Sequence, residues 1–118
     1  MRDLKDPVET IDPSNIKLTV LDDGKCIYMS RIPIPYPKGT LDIVYKKLIG
    51  IECFNKCALD FYVNAPMGKY EKIEDIDHLR FIEGGKIVRV FSTDSESLSV
   101  DTPSDLEKVR RIMEKIKL

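Results

Sequence analysis

The sequence predicts an α/β fold, and three observations carry that prediction. Short stretches that alternate apolar and polar residues are interleaved with stretches whose apolar residues recur at helical spacing. Glycine, proline and small polar residues stand where the period changes, as turn and cap chemistry requires. The interleaving itself favours a sheet that is at least partly parallel.

The elements follow in order. Residues 1–15 are polar, contain two prolines and show no periodicity, so they read as an extended N-terminal arm. Ile16-Lys17-Leu18-Thr19-Val20 alternates as a half-buried strand does. Asp22-Asp23-Gly24 supplies a positive-φ turn, and Cys26-Ile27-Tyr28-Met29 returns as the partner strand. Residues 31–37 hold three prolines, which excludes a regular helix and leaves a stiff loop. Val44 through Phe54 reads as a buried strand centred on Leu48-Ile49-Gly50-Ile51.

Asn55 is placed to cap a short helix through Ala58, Leu59 and Phe61 to about Val63, which Ala65-Pro66-Met67-Gly68 ends. Asp75 reads as the cap of a second helix, with Ile76, Leu79 and Ile82 on one face and Gly84-Gly85 as its stop. Residues 86–91 read as a strand. Thr102-Pro103-Ser104-Asp105 then places an N-cap, a proline at the first helical position and an acid two residues later, a variant of the capping box. Leu106, Val109, Ile112, Met113 and Ile116 line one face of the final helix. About three strands and a hairpin are few for a sheet covered on both faces. Residues 1–118 therefore read as a single, partial domain.

Composition narrows the function. The 118 residues are 42% apolar and 33% charged, the balance of a soluble globular chain. Twenty acidic and 19 Lys and Arg residues nearly cancel, so no net field favours nucleic acid or an anionic membrane. No stretch approaches the roughly 20 apolar residues that span a bilayer. Cys26, Cys53 and Cys57 suit reduced thiols in a cytoplasmic protein, and no further Cys or His pair completes a zinc site with them.

Three segments carry a resemblance to a known family. The first is Leu21-Asp22-Asp23-Gly24 with Ile27-Tyr28-Met29-Ser30-Arg31-Ile32-Pro33-Ile34-Pro35-Tyr36. The second runs from Tyr70 to Arg80, and the third is Val100-Asp101-Thr102-Pro103-Ser104-Asp105-Leu106. In this order and at this spacing they resemble the cytidylyltransferases that activate 3-deoxy-manno-octulosonate and related acidic sugars, including acylneuraminate. The resemblance covers the C-terminal half of such enzymes. It implies the corresponding part of a Rossmann-like nucleotide-diphospho-sugar transferase fold, with a β-hairpin used for dimerisation.

The implied reaction is attack of the sugar's anomeric hydroxyl on the α-phosphate of CTP, with pyrophosphate leaving and magnesium neutralising the phosphates. Such an activity feeds lipopolysaccharide or capsule synthesis. By resemblance Asp101 is a magnesium ligand; read from the residues alone, it is a charge favourably placed at a helix N-terminus. Arg31 stands where the family sets an arginine against the acidic sugar, a task suited to a bidentate guanidinium, or it is a solvated strand-end arginine. Asp77 and His78 stand where the family's Glu-Gln hydrogen-bonds sugar hydroxyls; alone, His78 reads as an ordinary helix residue. Glu71, Glu74 and Arg80 fit the pattern as well as they fit a charged helix face.

Two departures matter. Leu48 and Glu52 replace a histidine and a tyrosine that help hold the sugar, and an acid there repels an anionic ligand unless it is compensated. Nothing resembles the family's triphosphate-cradling loop or its second metal-binding aspartate. The expectation is a chain inactive alone, which either pairs with a nucleotide-binding half or forms a homodimer through Ile27, Met29, Ile32, Ile34 and Tyr36. The alternative is a non-catalytic assembly or binding module built on the same scaffold. A third reading is an unrelated small α/β protein.

Overall fold

The structure is a computed structural model that describes residues 1–94, 100 and 102–115. Along the chain the elements are β1 (Arg2–Asp3), α1 (Pro7–Ile11), β2 (Lys17–Val20), β3 (Lys25–Ser30) and β4 (Lys46–Lys47). They continue with α2 (Lys56–Asn64), α3 (Lys69–Glu74), α4 (His78–Glu83), β5 (Val88–Arg89) and α5 (Pro103–Lys115), giving a mixed α/β domain.

The β2–β3 hairpin forms where the alternation placed it, with Gly24 supplying φ +82° at the turn. It nucleates a sheet of order β1-β4-β2-β3-β5 in which every neighbouring pair is antiparallel. The partly parallel sheet expected from sequence is therefore corrected. No helix crosses between neighbouring strands of the hairpin, whose tight turn enforces antiparallel pairing. Lys17 departs from the alternation too. It is fully buried, and its three ammonium hydrogens meet the carbonyls of Asp12, Asn15 and Arg31.

Residues 1–15 are not one extended arm. Asp6 caps α1 by accepting from Val8 N at 2.9 Å, and Pro7 sits at the first helical position. That Asp-Pro start is a helix signal outweighed in the sequence by the polar surroundings. The strand expected from Val44 to Phe54 also shortens to Lys46–Lys47. Ile51 N donates to Ile49 O at 2.8 Å, a tight turn that takes the chain out of the sheet and leaves Ile51 82% exposed.

Asn55 caps α2 as expected, through Ala58 N at 2.8 Å. Asp75 does not cap a helix start. It adopts φ 53°, ends α3 by donating its N–H to Glu71 O, and Asp77 precedes α4 instead. Gly84 ends α4, and a side chain there would run into the Phe61 ring. Thr102 and Asp105 exchange the reciprocal cap bonds anticipated for α5.

Leu18, Cys26, Met29, Ile76 and Leu79 make the core, which lies between the β2–β3 hairpin and the start of α4. Burial pushes the Cys26 thiol up to about 11, so it is an inert core group. Met29 is thus a core residue and not part of an exposed dimer face, whereas Ile27, Ile32 and Tyr36 are exposed.

Candidate functional site

A cleft of about 550 Å³ opens beside the sheet, where α1 and the following turn, the loop after β4, the start of α4 and α5 converge. One rim is built from the N-terminal residues. Arg2 Nη2 grips Glu9 at 2.7 and 2.9 Å, holding α1 beside β1. Asp12 folds onto Ser14 N and Oγ at 2.8 and 2.7 Å, which holds its carboxyl below the usual range. Buried Asn15 donates to Glu9 O at 2.9 Å, and Lys17 ties this rim to the end of β3. Burial lowers the pKa of Lys17, while Asp12 opposes that shift.

The opposite wall is the turn between α3 and α4, Asp75 to His78, which ties within the two helices hold in place. Glu71 is 4% exposed and accepts a bidentate pair from Arg80, Nε at 2.8 Å and Nη2 at 2.6 Å. Those bonds, against the cost of burial, hold the Glu71 carboxyl below its usual value. Arg80 also donates to Tyr62 O at 2.9 Å and stacks on the Tyr62 ring at 4.2 Å. Glu83 accepts from Tyr70 N and Glu71 N, completing the first turn of α3. Glu74 receives Ser30 Oγ at 2.7 Å and Arg31 N at 3.0 Å, which binds the helix pair to the hairpin. Glu71, Glu74 and Arg80 therefore form internal ties instead of a solvated face.

Asp77 and His78, which the resemblance sets at the sugar hydroxyls, line the cleft together with Leu48 and Glu52, the two departures from the family pattern. Arg31 does not line it. Its guanidinium donates to Glu74 O at 2.6 Å, Pro13 O at 3.1 Å and Asp75 O at 2.8 Å, and its Nη2 lies 3.8 Å from Asp75 Oδ2. Asp101 lies outside the described residues, although its neighbour region reaches the cleft through Asp105, Lys108 and Val109.

His78 is the hub of the inner wall. Its side chain is 13% exposed, with Nε2 2.8 Å from Glu52 Oε1 and Nδ1 3.0 Å from Asp77 Oδ1. Neither approach is aligned as a hydrogen bond, so both enclosed ring nitrogens lack a directional partner. Behind this wall lies a smaller, mostly apolar cavity of about 190 Å³ lined by Phe54, Leu59, Tyr62 and Phe81. Phe81 centres that cluster, 5.6–5.7 Å from the Phe54, Phe61 and Tyr62 rings.

The cleft lining carries six carboxylates against three Lys and Arg residues. Glu9, Asp12 and Asn15 escaped the sequence reading because they lie in a polar segment without periodicity; the Asp6-Pro7 and Asp12-Pro13-Ser14 turn signals were the available clue. Among the described residues no three His, Cys, Asp or Glu side chains converge as a metal site. By themselves the described residues do not fit a magnesium ion. No helix among the described residues is long and apolar enough to cross a membrane.

No family model matches the chain. Curated relatives do. A 3-deoxy-manno-octulosonate cytidylyltransferase of Christiangramia forsetii is 39% identical over 93% of this chain and 45% of its own length. The enzyme of that name from Escherichia coli is 35% identical over 89% of this chain and 43% of its own length. A mitochondrial form from Arabidopsis thaliana is 34% identical over 91% of this chain and 38% of its own length. Among solved structures, CMP:2-keto-3-deoxy-manno-octonic acid synthetase complexed with CTP superposes with a TM-score of 0.89 at 32% identity, covering 97% of this chain and 47% of that one. The chain thus spans a little under half the length of the relatives it matches. Over about 90% of its length the chain is similar to 3-deoxy-manno-octulosonate cytidylyltransferases and matches their C-terminal half.

Proposed function

We propose that this chain supplies the sugar-side half of a CMP-sugar synthetase, which transfers cytidylyl from CTP to an acidic 2-keto sugar such as 3-deoxy-manno-octulosonate or a relative. The observation that carries the proposal is the convergence of Leu48, Glu52, Asp77 and His78 on one cleft in a chain similar to these enzymes. In this reading Asp77 and His78 meet the sugar hydroxyls. Arg31 holds the hairpin end against the α3–α4 turn beside cleft-lining Asp75, and a role against the sugar carboxylate would require its guanidinium to turn from these partners toward the cleft. The anomeric hydroxyl attacks the α-phosphate of CTP, the bond to the β-phosphate oxygen breaks, and pyrophosphate leaves.

The nucleotide is held by the other half of the fold, on the same or another polypeptide. Asp101 is our proposed carboxylate ligand for the magnesium that accompanies CTP, a hard cation that prefers oxygen donors. Ile27, Ile32 and Tyr36, all exposed, are the proposed homodimer contact. The proposed location is the cytoplasm and the product's use is lipopolysaccharide or capsule synthesis. The test is pyrophosphate release when this chain is combined with a first half from a related cytidylyltransferase. Release that needs CTP, the acidic sugar and both halves supports the reading. An assembled hybrid that binds CTP yet never transfers it would favour a non-catalytic binding module.

A further inference from the structure

Glu52 and His78, two positions where the chain departs from the family pattern, are the same contact. Glu52 sits on the loop after β4 and His78 opens α4, yet Nε2 and Oε1 are 2.8 Å apart. The site beside them is rich in acid, with Asp75 and Asp77 on the same wall. An uncompensated Glu52, 35% exposed on that wall, would repel an anionic sugar across a partly desolvated cleft, where charges interact more strongly than in bulk water.

The imidazole is placed to prevent this. It lies between the Glu52 and Asp77 carboxylates, is nearly enclosed, and has no aligned hydrogen bond that would commit it elsewhere. Asp77 is itself approached from the far side by the Tyr62 hydroxyl at 3.5 Å. Of the Lys and Arg side chains that line the cleft, Arg2 pairs with Glu9 and Lys108 with Asp105, whereas the close contact to Glu52 is made by His78.

The geometry points to Glu52 and His78 as one specificity-determining unit, in which His78 masks the Glu52 charge so that the cleft accepts a carboxylate-bearing sugar. This inference rests on the sugar-site reading above. It makes a prediction about sign that independent residues would not satisfy. His78→Gln alone unmasks Glu52, whereas His78→Gln combined with Glu52→Gln removes the charge that needed masking.

The experiment is a chemical-shift titration of the 118-residue chain and three variants, Glu52→Gln, His78→Gln and the double substitution. The probes are 3-deoxy-manno-octulosonate and its uncharged methyl ester. The backbone spectrum of each variant reports whether it remains folded. His78→Gln is expected to weaken binding of the acid roughly tenfold while leaving the ester nearly unchanged, and the double variant is expected to recover most of the loss. A folded double variant that binds the acid no better than His78→Gln overturns the pairing. Equal losses for acid and ester also overturn it, since the role would then be shape. Wild-type protein that binds neither probe overturns the sugar-site reading, and this inference with it.

Discussion

The α3–α4 wall and helix α5 are built from comparable material but stand in opposite conditions. In the first, Leu79 is fully enclosed, Ile76 is 2% exposed, and the polar groups between them are saturated by Arg80, Glu71, Glu74 and Glu83. In the second, an amphipathic helix of 13 residues buries none of them, and Leu106, Ile112 and Met113 are 38%, 40% and 52% exposed. The loop between β3 and β4 resembles α5, with Leu41 86% and Tyr36 84% exposed. One region holds its partners within this chain. The other presents apolar surface of the kind that contacts another part of a fold or a second subunit.

The largest test of that contrast falls at the boundary of α5. If Asp101 is the magnesium ligand proposed above, Asp101→Asn is expected to lower turnover of an assembled hybrid by about 100-fold or more, because an amide is a poor magnesium ligand. Its effect on unfolding free energy is expected to stay within about 1 kcal/mol, as amide and carboxylate serve the helix start similarly. Paired rate and denaturation measurements check both. Near-normal turnover would make Asp101 a helix-start charge like any other.

The next test breaks or confirms the difference in packing. Leu79→Ala is expected to destabilise the isolated chain by about 3 kcal/mol, through lost transfer energy and the cavity left behind. Met113→Ala is expected to cost less than about 0.5 kcal/mol, since its side chain is half exposed. Urea unfolding of both variants measures the gap. Comparable losses would mean that α5 is packed in solution as firmly as α4.

These two regions also divide what could be read beforehand. The hairpin, the caps at Asn55 and Thr102, and the stop at Gly84 were legible because each is a local decision between a side chain and its own backbone. Lys17 was not, since its burial depends on three carbonyls that only the folded chain gathers. Asp75 was misjudged because an aspartate serves a helix start or a left-handed stop equally well, and the choice rests on Arg31 and the core beneath. For the site, the family resemblance marked Asp77 and His78, and flagged Glu52 as a charge in need of compensation. That His78 is its neighbour is a tertiary fact, invisible in residues so far apart in sequence.

A smaller effect sharpens the account of the α3–α4 wall. The Glu71 carboxyl is lowered in the fold, chiefly by Arg80. Its stabilising contribution is therefore complete above the ordinary carboxylate range and disappears as pH falls through the lowered folded value. Wild-type stability should decline on acidification below about pH 4.5 more steeply than that of Glu71→Gln, whose curve lacks this component. Parallel curves in pH-dependent denaturation would show that the buried pair contributes no proton linkage.

The central claim is that this chain carries the sugar side of the reaction and that the triphosphate is held by residues outside it. Calorimetric titration of the 118-residue chain with CTP and magnesium addresses it directly. The account predicts no heat of binding at nucleotide concentrations in the low micromolar range. A magnesium-dependent dissociation constant in that range would place a nucleotide site within these residues and contradict the account.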